Sequence, residues 1–374
     1  MAHPRSSLVF AGALALTSVI APPLQGAAAS ALEHSDAVVI PASDPRFIYE
    51  GRFDTSNFPA GPVVIWQGSR IRLDFEGDSL VLHFADAENQ NFFDATIDGR
   101  TTIVDASANA PARAATFTGL GPGRHSLVLF KRTEAAAGTV RFVGVELAPG
   151  ATAFAPPQPD YPLALLFIGD SITAGACNED GADDQWEDRR THNNARSYAA
   201  FTAADLAADY RNIAVSGMGV AIGWTDVKAG EIWDRVYPNP ASPRADLTAW
   251  TPDVVFVNLG ENDDSYPRAK DIAFPGEAYT ESYVALVRAI RTAYPKAQIA
   301  ILRGGMFGGA QSERLRDAWQ AAVTQLETTD PKLSHYVFQH WTTLHPRASD
   351  HRAMADELTA WLRQKAPSFK PQAP

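Results

Sequence analysis

The feature that most constrains the fold is a short apolar run, Leu165 to Ile168, which ends abruptly in Gly169-Asp170-Ser171. A continuous apolar run of this length, bounded by turn residues, is typical of a strand that is buried on both faces of a parallel sheet. Ligands of such sheets bind just beyond the carboxyl ends of the strands. Ser171 follows the run directly and is therefore a candidate nucleophile. The alternative is that Ser171 is an ordinary N-cap of the next helix.

Around this run, apolar segments alternate with stretches of helical length. Predicted strands cover residues 163–169, 210–215, 253–259, 298–302 and 335–338, and predicted helices cover 194–208, 278–293, 311–326 and 350–364. Alternation of this kind predicts a three-layer α/β/α domain with a five-stranded, mainly parallel sheet. We assign residues 163–367 to this domain.

The preceding hundred residues have a different pattern. Between residues 47 and 150, short alternating segments such as 70–75 and 125–130 are separated by Gly-Asp, Asp-Gly and Gly-Pro-Gly turn signals. Many short strands without a helix predict a β-sandwich or jelly-roll domain. The proline-rich segment 151–162 is the predicted linker between the two domains.

The first thirty residues have the order of a secretory signal peptide. Arg5 precedes an apolar run over residues 8–20, and small residues follow as far as Ala31. The run is too short to cross a bilayer, so we expect cleavage after Ala29 or Ala31 and a secreted or periplasmic protein. Residues 31–46 are the expected flexible leader. The single cysteine, Cys177, excludes an intramolecular disulfide and is expected to be a small buried side chain.

The charge balance limits the classes of partner. The formal net charge is −11, and no cluster of Lys and Arg offers a local basic field, which argues against nucleic acid. No later segment is long and apolar enough to span a membrane. We find no His, Asp and Glu spacing typical of a metal site, so no metal or other cofactor is expected. We expect a monomer that acts on a neutral substrate.

Three further loops supply groups that a hydrolytic serine needs. Gly217 follows the predicted strand at 210–215, and a glycine lets a backbone N–H approach a substrate closely. Asn262 follows the strand at 253–259, where its side-chain amide is able to donate to an oxyanion. His345 precedes the last helix and is a candidate base, presented in extended geometry by Pro346. Taken alone, each loop is equally typical of an ordinary turn.

Together the four loops resemble the SGNH (GDSL-like) hydrolase superfamily. Its motifs correspond here to Gly169-Asp170-Ser171, Gly217, Gly260-Glu261-Asn262-Asp263 and His345-Pro346. The resemblance implies that Ser171 is the nucleophile and His345 the base. It also implies an oxyanion hole made by the backbone N–H groups of Ser171 and Gly217 and by the Asn262 side chain.

The sequence departs from this superfamily at one position. Members usually have an acid three residues before the histidine, and Thr342 stands there in this chain. Replacing the acid of a serine protease triad by an amide lowers turnover by about 10⁴. Either a backbone carbonyl or another acid therefore orients His345, or the enzyme is slow. We predict a Ser–His dyad of Ser171 and His345. Asp350 is nearby in the sequence but is expected to cap the last helix.

The N-terminal half narrows the resemblance to carbohydrate esterase family 2, in which a β-sandwich precedes the SGNH domain. The residues that carry this likeness are 75–80, 97–99 and Lys131-Arg132-Thr133-Glu134. Some members of that family lack the triad acid, which agrees with Thr342. The resemblance implies removal of O-acetyl groups from plant cell-wall polysaccharides, such as acetylated xylan or glucomannan, through an acetyl-serine intermediate.

Two other functions remain open from the sequence. One is an SGNH esterase that acts on other acetyl esters, such as pectic or bacterial wall glycans. The other is a carbohydrate-binding protein with weak catalysis, for which Thr342 is the main argument. Aromatic faces stack on sugar rings, so Trp341 and Tyr266, beside the inferred catalytic loops, are candidate substrate contacts, with a packing role as the alternative.

Overall fold

The computed structural model describes residues 37–110 and 114–365. The predicted signal peptide lies outside the described residues. The strands are β1 Val38–Pro41, β2 Ile48–Glu50, β3 Phe53–Asp54, β4 Val63–Val64, β5 Arg70–Glu76, β6 Ser79–Asn89, β7 Phe92–Ile97, β8 Arg100–Asp105, β9 Ala114–Thr118, β10 Arg124–Lys131, β11 Gly138–Leu147, β12 Ala153–Phe154, β13 Ala164–Gly169, β14 Asp209–Ala214, β15 Val254–Asn258, β16 Gln298–Arg303 and β17 Leu333–Val337. The α-helices are α1 Ser171–Ala174, α2 Tyr198–Asp205, α3 Ala229–Ile232, α4 Glu261–Lys270, α5 Gly276–Ala293, α6 Phe307–Gln311, α7 Glu313–Glu327 and α8 Ala348–Lys365.

Two antiparallel sheets form the N-terminal half. The strand order is β3-β4-β11-β6-β9 in one sheet, with β1 on β11, and β12-β5-β10-β7-β8 in the other, with β2 on β5. Alternate residues of β6, namely Leu80, Leu82 and Phe84, are buried between the sheets, as the period of two along a strand requires. The predicted β-rich N-terminal domain is confirmed.

Two short strands lie where the sequence analysis expected irregular chain. Val38–Pro41, within the predicted leader, pairs with β11 and buries Ile40. Ala153–Phe154, at the start of the predicted linker, pairs with β5. These strands are two to four residues long, so their own patterns carry little signal. Pairing with a neighbour stabilises them, so part of the predicted leader and part of the predicted linker form strands.

The C-terminal half contains one five-stranded sheet with the order β14-β13-β15-β16-β17. All four pairings are parallel, and the predicted α/β fold is confirmed. Helices α3, α5 and α7 pack on one face, whereas α2 and α8 pack on the other. The strand order reverses between β13 and β15, so a crevice is expected beyond their carboxyl ends.

One apolar core crosses the boundary between the two halves. Ile65, Trp66 and Ala135 of the N-terminal half belong to the same buried cluster as the residues beneath α3 and α5. The buried Gln67 side chain donates 2.9 Å hydrogen bonds to Asn212 Oδ1 and to the Ala214 carbonyl of β14. The N-terminal half therefore supports the strand that leads to the Gly217 loop. Among residues 37–110 and 114–365, no helix has the length and apolar character needed to cross a bilayer.

Candidate active site

Ser171 lies at the first position of α1, directly beyond the carboxyl end of β13. Asp170 is the N-cap of this helix and accepts a 3.1 Å hydrogen bond from the Ile172 N–H. The interpretation of Ser171 as the N-cap is therefore wrong. A Cβ on Gly169 would lie 2.1 Å from Thr173 Oγ1, so only glycine allows this close passage from strand to helix. The Ser171 N–H is at a helix start, where it has no intrahelical acceptor.

The predicted catalytic and oxyanion-hole residues meet in one cavity of about 330 Å³ at the carboxyl end of the sheet. Ser171, Gly217, Asn262 and His345 all line it. They come from the loops after β13, β14 and β15 and from the segment before α8. A small concave site with a few converging polar groups is typical of an active site.

His345 is held by an acid that the sequence analysis did not identify. Its Nδ1 lies 2.6 Å from Asp184 Oδ2, and the Arg347 guanidinium donates a 2.8 Å hydrogen bond to Asp184 Oδ1. Partial burial acts to raise the pKa of Asp184, but hydrogen bonds from His345 and Arg347 outweigh it and hold the pKa well below its usual range. The expected dyad of Ser171 and His345 is thus corrected to a set of three, in which an ionised carboxylate faces Nδ1.

Thr342 has a different role from the acid that usually occupies its position. Its hydroxyl donates a 2.6 Å hydrogen bond to the Leu344 carbonyl, and its N–H donates to the Gly305 carbonyl at 3.2 Å. These bonds fix the turn before His345. Asp350 accepts a 2.8 Å hydrogen bond from the Arg347 N–H in the first turn of α8, in agreement with its predicted capping role.

The predicted oxyanion-hole groups have suitable supports. Gly217 has a φ of 80°, a left-handed conformation that favours glycine. The Asn262 amide donates one hydrogen bond, 3.0 Å long, to the Met218 carbonyl. A primary amide has two N–H donors, so this bond orients the group and leaves the second donor for a ligand in the cavity.

Two buried carboxylates at the start of α4 fix the loops around the cavity. Asp263 accepts three hydrogen bonds of 2.8–3.0 Å from the N–H groups of residues 220–222. Glu261 accepts two from Gly308 and Gly309, at 3.1 and 2.8 Å. Burial raises the pKa of both carboxyl groups, against the lowering effect of these N–H donors. The Gly217 loop and helix α6 are thereby both tied to the helix that carries Asn262.

The stretch Lys131-Arg132-Thr133-Glu134, singled out in the sequence, lies at the junction of the two halves. Arg132 pairs with Asp94 of its own half and with Glu179 of the loop after α1. Glu134 is 3% exposed and accepts a 2.7 Å hydrogen bond from the Ser216 N–H. The N-terminal half therefore holds the residue that directly precedes Gly217.

Aromatic side chains at the cavity differ from those predicted. Trp186 and Trp224 line it, and the Trp186 ring lies 5.4 Å from the His345 ring. Tyr266 packs edge-on against Trp224, whereas Trp341 packs against Phe307. Neither predicted contact residue lines the cavity. Trp224, against which Tyr266 packs, lines it instead.

A trio of potential metal ligands overlaps this site. Cys177, Asp184 and His345 each place one ligand atom within 4.8 Å of the others. Asp184 is already bonded to His345 and Arg347, and burial raises the pKa of the Cys177 thiol. A cysteine binds a metal as its thiolate, so this donor set is better suited to hydrogen bonding than to a metal.

No local signal in the sequence identifies Asp184. It is one of six acids between Glu179 and Asp188, so composition does not single it out, and it precedes His345 by 161 residues. Trp186 belongs to the same loop. This loop is positioned by Arg132, which also donates to the Arg190 carbonyl at 2.9 Å.

Both halves of the chain match described families. Residues 49–157 match the carbohydrate esterase 2 N-terminal family, and residues 167–366 match the GDSL-like lipase/acylhydrolase family. A cellulase/esterase, CelE, of Acetivibrio thermocellus is 33% identical over 86% of this chain, which spans 40% of the length of that protein. An acetylxylan esterase/glucomannan deacetylase of Cellvibrio japonicus is 27% identical over 83% of this chain and 88% of that protein.

Solved structures agree with these matches. A family two carbohydrate esterase from Clostridium thermocellum, in complex with cellohexaose, superimposes with a TM-score of 0.77 and 30% identity. The match covers 86% of this chain and 99% of that chain. The two-part architecture, the four converging loops and these matches show that the chain belongs to carbohydrate esterase family 2 of the GDSL-like (SGNH) hydrolases.

Proposed function

We propose that the chain is an exported serine esterase that removes O-acetyl groups from plant cell-wall polysaccharides, with acetylated xylan and glucomannan as substrates. One observation carries the proposal: Ser171, His345, Gly217 and Asn262 line one cavity, and Asp184 engages Nδ1 of the histidine. The names of the Cellvibrio japonicus relatives, acetylxylan esterase and glucomannan deacetylase, support the substrate class.

The proposed reaction begins with proton transfer from Ser171 Oγ to His345 Nε2. Because Asp184 accepts the Nδ1 proton, Nε2 is left as the acceptor. Oγ attacks the acetyl carbonyl carbon, and the developing oxyanion accepts hydrogen bonds from the N–H groups of Ser171 and Gly217 and from the Asn262 amide. The C–O bond to the sugar then breaks, and the sugar oxygen takes the proton from Nε2.

The second half of the reaction releases acetate. Water attacks the acetyl-serine carbonyl while His345 Nε2 accepts a proton from it. The tetrahedral intermediate collapses, Oγ leaves and takes that proton back, and the free enzyme is restored. Trp186 and Trp224 at the cavity offer faces on which a sugar ring stacks.

The alternative of a carbohydrate-binding protein with weak catalysis loses its main sequence argument. Thr342 stands in place of the usual acid, and this substitution was the reason to consider weak catalysis. Asp184 supplies a carboxylate to His345 from another loop, so the substitution at position 342 is no reason to expect weak catalysis.

Acetate release from acetylated xylan and acetylated glucomannan tests the proposal. We expect the wild type to release acetate, and Ser171→Ala and His345→Ala to be slower by several orders of magnitude. Ser349→Ala and His335→Ala, which change the same residue types outside the cavity, are the matched controls. Equal activity in all five proteins would show that the assigned residues do not act. No release from either polymer would reject the substrate class.

Export is tested separately. We expect the protein secreted by its native host, or by a bacterial host given the full chain, to begin after Ala29 or Ala31. Mass spectrometry of the secreted N-terminus measures this directly. An unprocessed cytoplasmic product would contradict the export proposal without affecting the assignment of the esterase site.

A further inference from the structure

A second cavity, of about 480 Å³, lies away from the catalytic cavity. It is enclosed by the loop around β3, by residues 236–250 and by the sheet edge at β14, and it shares no lining residue with the catalytic cavity. Arg211 lies at the third residue of β14, whereas the catalytic cavity lies beyond the carboxyl end of that strand. The two cavities are therefore separate sites.

Two arginines, Arg52 and Arg211, line the second cavity without a carboxylate partner. Among residues 37–110 and 114–365, neither guanidinium forms an ion pair or a hydrogen bond with a carboxylate. Within the part of the chain that the structure describes, Arg52 donates only to the carbonyls of Trp233 and Arg235, both at 2.8 Å. By contrast Arg70, at the same junction, pairs with Glu50 at 2.9 Å and with Asp209 at 2.6 Å.

Arg211 is the less well hydrogen-bonded of the two arginines. Its Nε is buried and has no hydrogen-bond partner among the described residues, and its guanidinium lies over the Trp250 ring, 4.3 Å from the centroid. Burial lowers the pKa of both Arg52 and Arg211 to about 10, and each remains charged at neutral pH. Partly buried cations are stable when an opposite charge pairs with them. The charge of Asp209 acts on Arg211 from nearby, but no carboxylate among the described residues is hydrogen-bonded to its guanidinium, so its donors are free to pair with an anionic group of a ligand.

The other lining residues narrow the class of anion. Phe53, Tyr237 and Trp250 give the cavity aromatic walls. Asp54 and Asp246 also line it, which disfavours a doubly charged ligand but offers acceptors for hydroxyl groups. A molecule with one carboxylate, several hydroxyls and a ring that packs on aromatic faces satisfies all of these groups.

We propose that this cavity is a binding site for a hexuronic acid, whose carboxylate pairs with Arg211 and Arg52 and whose ring hydroxyls bond to Asp54 and Asp246. A volume of about 480 Å³ is in the range of small-molecule sites. The net charge of −11 does not oppose this binding strongly, since charges more than about 8 Å away are screened at physiological ionic strength. The site is independent of the proposed esterase reaction.

Titration by ligand-observed NMR tests the proposal, with glucuronate as the probe, glucose as the neutral analogue and inorganic phosphate as the second anion. We expect the full chain to bind glucuronate saturably and Ser171→Ala to bind it with the same affinity. Arg211→Gln should bind glucuronate at least about tenfold more weakly, because the charged hydrogen bond is lost. Arg288→Gln, which removes an exposed arginine outside the cavity, is the matched control and should bind normally.

Other binding results would reject parts of the proposal. Equal binding of glucose would reject recognition of the carboxylate, and phosphate binding as tight as that of glucuronate would reject the hexuronic acid. Unchanged affinity in Arg211→Gln would reject the site. If circular dichroism shows that this variant does not fold, Arg52→Gln takes its place with the same expected loss. Because binding rather than acetate release is measured, failure here is distinct from failure of the esterase assignment.

Discussion

At the scale of single residues, the important feature is how His345, the proposed base, is oriented. His345 is held by a carboxylate 161 residues earlier in the chain, and Arg347 holds that carboxylate from the other side. In serine hydrolases the acid keeps the histidine in the tautomer that accepts the serine proton and stabilises the imidazolium. Asp184 is placed to do the same from the loop after α1.

Replacing Asp184 by Asn should lower kcat for acetate release by roughly 10³- to 10⁴-fold, because the amide favours the wrong tautomer of His345. KM should change little, since Asp184 does not line the cavity. Steady-state kinetics on a small acetyl ester measure both constants. Asp183→Asn, at the exposed neighbouring position, is the control, and equal kcat values in the two variants would show that Asp184 has no orienting role.

The lowered pKa of Asp184 predicts that the free energy of unfolding depends on pH. The pKa of Asp184 is lower in the folded chain than in the unfolded chain, where it is about 4. Its pair with His345 and Arg347 therefore stabilises the fold above pH 4, and this contribution is lost as the pH falls towards the folded-state pKa. Urea unfolding should show that wild type exceeds Asp184→Asn in stability at pH 7, and that the difference shrinks below pH 4. A constant difference would contradict this linkage.

Removing the Asn262 amide should also reduce kcat. Loss of one oxyanion donor costs about 10²- to 10³-fold, so we expect Asn262→Ala to show this loss in kcat with a smaller effect on KM. The amide also donates to Met218, and a melting curve is needed to show that the loop is retained. A rise in KM with kcat unchanged would place Asn262 in ground-state binding instead.

At the scale of elements, short helices carry two of the site residues. Ser171 lies on a helix of four residues, and α4, which carries Asn262, occupies a stretch that the sequence analysis treated only as a loop motif. Helix α4 has Pro267 in its interior and three buried acids in its first turn. Its own residues favour a helix weakly, and the hydrogen bonds of Asp263 and Glu261 to neighbouring loops stabilise it in place.

Glu134 shows how one element supports another. Glu134→Ala removes the acceptor of the Ser216 N–H, and the Gly217 loop should then shift from its position. We expect kcat to fall roughly tenfold, because small displacements of catalytic groups are costly. Glu134→Gln, which keeps a carbonyl acceptor, should lose less. Glu76→Ala, an exposed change on β5, should not alter kcat, and a Glu134→Ala enzyme that behaves like it would contradict the role.

At the scale of the whole molecule, the two halves behave as one body in their packing. Trp66 belongs to the apolar core of the α/β half, and its indole N–H donates 2.7 Å to the Val236 carbonyl. Buried polar bonds from Gln67 and Glu134 cross the same junction. The N-terminal half is thus part of the fold that positions the site.

This packing predicts a single cooperative unfolding transition for residues of both halves. Differential scanning calorimetry should show one peak for the wild type. Trp66→Ala should lower the free energy of unfolding by about 3–5 kcal/mol, the usual cost of emptying a large buried aromatic site. Two separated peaks in the wild type would show that the halves unfold independently.

The sequence by itself determined the fold class and four residues of the site. Ser171, Gly217, Asn262 and His345 were candidates because each adjoins a recognisable element, and the resemblance to the SGNH hydrolases implied their roles. They line one cavity because the carboxyl ends of parallel strands meet at one edge. The sequence pattern immediately around each of these residues indicates where that residue lies relative to its strand or helix.

Only the tertiary structure decided which acid faces His345 and which rings line the cavity. Asp184 and Trp186 lie in a long loop without a periodic pattern, and Arg132 of the other half fixes that loop. Contacts between residues more than a hundred positions apart depend on how the two halves pack. No local pattern records that packing, because the same loop residues would fit many arrangements of the chain.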